Sequence, residues 1–263
     1  MTSELLWRFG VFLTLFALFA GLEAVVPRRA RNLPRGRRWP TNLAMTVLNS
    51  VALRGLAVVA PLLAIGAALD ARAQGWGLLN RVVWPDWLEL VLAILILDLA
   101  IWAQHLVTHK VPLFWRFHRV HHADRDMDVT TGFRFHPVEI LASMGLKIGL
   151  VYLLGPSALA VLVFEILLSG TALFNHANLA LPGWLDRVLR LVLVTPDMHR
   201  VHHSVQRAEH DSNYGFALSL WDRLFRTYVP EPKAGHETMI VGLEWQDERP
   251  ARLGWALWLP FRR

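Results

Sequence analysis

Residues 5–26, 43–69 and 87–104 are each apolar over a stretch comparable to the roughly 20 helical residues that cross a bilayer. Two shorter apolar runs, 138–154 and 158–174, flank Gly155-Pro156-Ser157. That tripeptide is a turn signal, so the pair is expected to form a hairpin that enters the membrane and returns. With 54% hydrophobic and only 18% charged residues, disorder and coiled coil are excluded. The expected fold is all-α: an integral membrane helical protein with about three spanning helices, a helical hairpin and a cap on the cytoplasmic face. The first run is longer than a signal-peptide core and lacks a basic leader, so it is read as a membrane helix. Pro61 is expected to kink the second span. Residues 183–194 read as an interfacial amphipathic helix.

Lys+Arg exceed Asp+Glu by 27 to 21, and the excess concentrates at Arg28, Arg29, Arg31, Arg35, Arg37 and Arg38, read as a loop over 27–40. This is a topology signal, not a nucleic-acid footprint. By the positive-inside rule the loop is cytoplasmic, and the alternation of spans then delivers every histidine cluster to that same face. Lys147 and Glu165 lie nine residues either side of Pro156. An antiparallel hairpin puts them at one depth, about 13 Å from the turn, where a paired charge costs less than a lone one.

Cysteine is absent, which excludes disulfides, thiolate zinc sites and cysteine-ligated iron–sulfur clusters. Histidine, with 12 copies, carries the chemistry instead. His105 and His109 stand at i, i+4 at the end of the third span. His118, His121 and His122 repeat as His199, His202 and His203, each an i, i+3, i+4 set that offers three nitrogens from one helical turn. His136 and His176 are further candidates. Neutral imidazole suits iron, zinc, copper and nickel. Eight to ten histidines on one face exceed what one ion holds, which points to two. Glu-x-x-His pairs of carboxylate-bridged bundles are missing, so a histidine-rich pair of irons fits best. Asp98, Asp124 and Asp197 are candidates to orient the ligands from behind. His210 and His236 have no partners at ligand spacing and are expected to be solvated.

HxxxH, HxxHH, Phe-Arg-Phe-His-Pro-Val-Glu, Asn-His-Ala-Asn, His-Arg-Val-His-His-Ser and Leu-Ser-Leu-Trp-Asp-Arg-Leu-Phe-Arg-Thr-Tyr occur in this order. The series resembles the fatty acid hydroxylase superfamily, also called the sterol desaturase family. The resemblance implies a catalytic domain over 88–230, between N-terminal membrane helices with the basic loop (1–87) and a tail (231–263). It implies two non-haem irons and O2-dependent hydroxylation or desaturation of a membrane lipid. It also implies that His105, His109, His118, His121, His122, His199, His202 and His203 are ligands, with His176 matching a more variable box. Asn178 stands where some relatives carry another histidine. No flavin, haem or nicotinamide motif is present, so electrons are expected from a separate ferredoxin- or cytochrome-type donor. The basic residues Arg116, Arg119, Arg125 and Arg200 are candidates to dock it. Trp102, Phe114, Trp115, Phe117, Phe133 and Phe174 are candidates to guide the lipid. The expected location is a bacterial inner membrane. A zinc lipid hydrolase and a non-catalytic metal or haem carrier remain as alternatives.

Overall fold

The computed structural model describes residues 2–59 and 63–262, and no strand occurs among them. The α-helices are α1 (Thr2–Val25), α2 (Arg35–Ala57), α3 (Leu63–Ala73), α4 (Asp86–Lys110), α5 (Pro112–His122), α6 (Pro137–Leu154), α7 (Ala158–His176), α8 (Gly183–Leu189), α9 (Pro196–His202), α10 (Arg207–His210), α11 (Leu220–Leu224), α12 (Gly235–Thr238) and α13 (Leu253–Trp258). Among the described residues α4, α6 and α7 are long and apolar enough to cross a membrane, and α1 carries a shorter apolar stretch, Phe9–Val25. The chain is an integral membrane protein.

The expected second span is corrected. The described part of 43–69 is carried by α2 and α3, and α2 begins at Arg35, inside the segment read as a loop, with Pro40 within it. Pro34 supplies the start: its φ of −65° is already that of a helix entrance. Pro61 lies outside the described residues. Short α3 fills the groove of the hairpin, where Ala64, Ile65 and Ala68 pack on Met144 and Val151 of α6 and Val161 of α7. Leu97 and Ile101 of α4 meet Leu154 and Phe164 across the same hairpin.

The hairpin closes as its turn residues require. Gly155 is left-handed (φ +67°), and Ser157 caps α7 by accepting from Ala160 N at 3.2 Å. Gly77 (φ +97°) seals this end of the bundle, since a Cβ there would lie 2.3 Å from Gly155 N. Lys147 Nζ meets Glu165 Oε1 at 2.8 Å, as equal depth in an antiparallel pair demands.

At the other end, prolines punctuate the cap. Val111 precedes Pro112 and is extended, which separates α5 from α4. The interfacial helix is shorter than expected: α8 ends at Leu189, although Trp184, Val188, Leu191 and Val192 all stay exposed and apolar. The segment beyond 230 folds back over the cap, and Leu243, Trp255, Ala256 and Leu259 join Val120 of α5, Ala123 just beyond it and Met45 of α2 in one cluster.

Candidate metal centre

Nine of the predicted ligands converge at the cap end in two groups. His105 and His109 (α4), His118 and His122 (α5) and His202 (α9) form the first; His121 (α5), His176 (α7), His199 (α9) and His203 just beyond α9 form the second. One ring nitrogen per residue lies within 4.8 Å of the others in its group, and all nine residues are buried. The groups adjoin, with the His122 and His203 rings stacked at 4.5 Å. Each HxxHH box therefore does not serve one ion. On α5 the i and i+4 members face the first group and the i+3 member the second, while α9 does the reverse. A 100° step around a helix is enough to send neighbours to different centres.

Hydrogen bonds on the far side of four rings fix which nitrogen points inward. His105 Nδ1 donates to Tyr214 O at 2.8 Å, His202 Nδ1 to Ser212 O at 2.7 Å and His176 Nδ1 to Ala172 O at 2.8 Å. His118 Nδ1 donates to Glu139 Oε1 at 2.6 Å. Carbonyls and carboxylates only accept, so Nδ1 carries the proton and Nε2 presents a lone pair. Two of these lone pairs face each other, His105 Nε2 lying 3.1 Å from His118 Nε2, and the His176 lone pair lies 3.1 Å from Nε2 of both His121 and His199, only one of which it could accept from. Two acceptors at that separation repel unless a cation sits beside both. Ligands at right angles around an ion about 2.1 Å away would stand about 3.0 Å apart. Both ring nitrogens of His122 and His203, and Nε2 of His202, are buried with no hydrogen-bond partner among the described residues. Leaving each such group unsatisfied costs about 1–3 kcal/mol. The residues fit a pair of metal ions.

Burial, followed by mutual repulsion among the rings, holds His121, His122, His199 and His203 far below the ordinary histidine pKa; burial and nearby His105 do the same to His202. Neutral imidazole is the ligating form. The sign of the pH dependence follows. Below about pH 6.5 the unfolded chain takes up protons that the folded chain refuses, so stability falls with acidification by up to about 1.4 kcal/mol per pH unit for each such histidine. Metal-free protein in detergent is expected to melt at steadily lower temperature from pH 7 to pH 5.5. A flat profile would contradict neutral burial.

The other predicted site residues stand apart from both groups. His136 caps α6, its Nδ1 accepting from Val138 N at 3.2 Å, because Pro137 holds it extended. Asp98 bonds Trp221 Nε1 at 2.8 Å and Leu218 N at 3.2 Å and touches no histidine. Asp124 pairs with Arg38, and Asp197 with Arg200 and Arg28. Burial alone would raise the pKa of either carboxyl, but the arginines outweigh it and hold both below the usual range. Arg200 is fully buried, which removes it from any docking surface, whereas Arg116 is exposed. Asn178 is occupied with Arg29 and Glu23.

His236 is not solvated, and His210 is half-buried. His236 is buried against Glu231 at 2.8 Å, and His210 stacks on Trp115 at 5.5 Å.

Sequence reasoning missed Glu139 as the partner of His118, although it ends the Phe-Arg-Phe-His-Pro-Val-Glu run. Glu139→Gln keeps an acceptor but loses the charge that strengthens the ligand, and is expected to weaken metal retention about 10-fold in a chelator competition. Gly132 also matters: a Cβ there would stand 2.7 Å from Ala172 O, the carbonyl that holds His176.

A cavity of about 350 Å³ opens beside the first group, reaching His105, His118 and Glu139 and running between α1, α2, α4, α6 and α7. Phe133 of the predicted aromatics lines it, with Phe12, Phe135 and Phe216. Trp102 instead stacks on Phe225 at 4.5 Å, and Phe174 packs on Phe19 at 5.6 Å. A second cavity of about 460 Å³, lined by His109, Lys110, Trp115, Arg119, Arg207 and His210 among others, approaches from the cap surface.

Residues 90–227 match the family model described as Fatty acid hydroxylase. The chain is 29% identical over 235 residues to the ornithine lipid hydroxylase OlsE of Rhizobium tropici, covering 88% of this chain and 69% of that protein. It is 33% identical over 164 residues to the alkylglycerol monooxygenase of Xenopus tropicalis, and 32% over 143 residues to that of Homo sapiens. Those alignments cover 61% and 53% of this chain but only 33% and 29% of those proteins. No solved structure matches. With more than half of its length matched, and with the histidine groups inside the matched segment or at its core, this chain belongs to the fatty acid hydroxylase family.

Proposed function

We propose that the protein is a non-haem di-iron enzyme that uses O2 to hydroxylate an unactivated C–H of a membrane lipid. The observation that carries this reading is the convergence of nine buried imidazoles in two adjoining groups beside a cavity lined in part by the candidate spans α4, α6 and α7. His105, His109, His118, His122 and His202 would hold one ion, and His121, His176, His199 and His203 the other. Five and four nitrogens exceed the three that a catalytic zinc takes, and no carboxylate belongs to either group, which favours iron over the hydrolase reading. Bound there, two irons would supply the O2 chemistry that oxidation of an unactivated C–H needs. The chain's own residues do the placing. Tyr214, Ser212 and Ala172 hold three rings by their carbonyls, Glu139 holds His118, and the cavity aligns the lipid against His105 and His118. Hydroxylation is preferred over desaturation because both kinds of relative are named for adding oxygen.

Electrons come from a separate acidic ferredoxin- or cytochrome-type protein, docked at the cap-side cavity near Arg116, Arg119 and Arg207, where encounter is steered by charge. Residues 88–230 form the catalytic domain. The arginine-rich segment joins the histidine end of the bundle through Arg38 and Arg28, which supports a site on the cytoplasmic side of its membrane.

The test is purified protein loaded with ferrous iron and given reductant, isotopic O2 and membrane lipids. Two irons per chain and a product one labelled oxygen heavier support the reading. Zinc alone, with product formed anaerobically, overturns it.

A further inference from the structure

The run Leu-Ser-Leu-Trp-Asp-Arg-Leu-Phe-Arg-Thr-Tyr supplies no ring to either histidine group, yet it carries a fully buried carboxylate, Asp222. Asp222 Oδ1 accepts from Tyr214 N at 2.8 Å, Trp102 Nε1 at 3.1 Å and Thr227 Oγ1 at 2.6 Å. Its Oδ2 accepts from Gly215 N at 2.7 Å. Every partner is a donor, so the carboxylate is the form that fits. Burying a charge is costly, and α4 is already joined to α11 by the apolar cluster of Trp102, Tyr214 and Trp221. The Gly215 bond gives the charge another use. Gly215 N–H and Tyr214 C=O belong to one planar trans peptide and point opposite ways. That carbonyl is the one that accepts from His105 Nδ1 at 2.8 Å. An unbroken chain therefore runs from carboxylate through a single peptide to imidazole. A Cβ on residue 215 would stand 2.8 Å from Asp222 Oδ2, so only glycine lets the peptide approach this closely. Asn213, left-handed at φ +50°, anchors the other side of the turn by donating to Met198 O at 2.9 Å and Val229 O at 2.8 Å.

We propose that Asp222 is the positioning carboxylate of His105, acting through the Tyr214–Gly215 peptide. At His118 the same service comes directly from Glu139. Hydrogen bonds in a chain polarise one another, so the charge on Asp222 makes Tyr214 O a better acceptor. His105 then keeps its proton on Nδ1 and its Nε2 lone pair turned toward the first group. Asparagine at 222 has nearly the same shape. Its oxygen can still serve Tyr214 N, Trp102 and Thr227, but its amide sets N–H against the Gly215 N–H and breaks the chain there. The inference rests on reading the histidine groups as a metal centre.

The test uses full-length protein in detergent loaded with cobalt(II), whose paramagnetism moves the ring N–H protons of bound histidines clear of the other NMR signals. Four rings have a hydrogen-bonded Nδ1–H, those of His105, His118, His176 and His202, and are expected to give four slowly exchanging signals. In Asp222→Asn one of the four is expected to exchange with deuterated water about tenfold faster while the other three keep their native rates. Native rates for all four overturn the inference. Acceleration of the other three as well overturns it too, because that is general loosening. Should the variant not fold, native protein decides. Tyr-Gly occurs once in the chain, at 214–215, so isotopic labels on tyrosine carbonyl carbon and glycine nitrogen isolate the Gly215 N–H. Zinc(II) on His105 makes its Nδ1–H a stronger donor, and the Gly215 signal is expected to move downfield as zinc is added; an unmoved signal overturns the inference. Native protein that takes up neither metal refutes the metal centre and this inference with it. Bound cobalt with unchanged exchange in Asp222→Asn refutes this inference alone.

Discussion

Alanine in place of His176 is expected to leave the purified protein with no more than one iron per chain and to lower O2-dependent turnover by at least about 100-fold. His176 is the hub of the second group. Its Nε2 stands 3.1 Å from Nε2 of both His121 and His199, and its Nδ1 is tied to the α7 backbone at Ala172 O. Removing it takes away one of the four rings of that group, the one that spaces two others. His136→Ala is the control, because His136 belongs to neither group. It is expected to keep both irons and lose about 1 kcal/mol through the missing helix cap. Iron analysis beside turnover separates the two. Full iron in His176→Ala would show that the second group is not a metal site.

Arg38→Met is expected to destabilise the fold by about 3–5 kcal/mol, the cost of leaving buried charges without their partner. Arg38 is 1% exposed and lies 2.7–2.8 Å from both oxygens of Asp124 and 2.7 Å from Asp128 Oδ2, with the Asp126 carbonyl as a further acceptor. Asn42 and Thr131 complete the shell around Asp124. Methionine keeps much of the volume and none of the five donors, so two carboxylates are stranded directly after the histidines of α5. Loss of iron should accompany the loss of stability. Arg37, exposed and 3.8 Å from an exposed Glu248, is the comparison, and Arg37→Met should change stability by less than about 0.5 kcal/mol. Denaturant melts of the two variants in one detergent give the difference. Similar midpoints would mean that water reaches the Asp124 carboxylate.

What was legible in the sequence is what short-range periodicity encodes. The hairpin, the Lys147–Glu165 contact and the presence of many imidazoles at one end follow from spans, a turn signal and i, i+3, i+4 spacing. The assignment of each ring to a group does not, because it depends on how α5 and α9 are rotated against each other, and that is set by distant packing. The partners behind the rings were equally hidden. Three of them are backbone carbonyls, which every residue has, so Tyr214, Ser212 and Ala172 carry no mark in the sequence. Asp98 looked well placed two turns before His105, yet the indole of Trp221, more than a hundred residues away, takes its carboxylate. The arginines of 28–38 read as a free basic loop because their acceptors, Asp124, Asp128, Asp197 and Glu23, lie elsewhere in the chain or pair only after folding.

Helices α5 and α9 each send rings to both groups. Neither half of the centre can therefore be ordered alone: seating a first ion immobilises the same two helices that present donors to a second, whose entropic penalty is already met. Iron uptake should be cooperative, with a sigmoidal titration and little singly loaded protein at any concentration. In an iron-starved cell such a chain would be divided between empty and complete molecules rather than filled by halves.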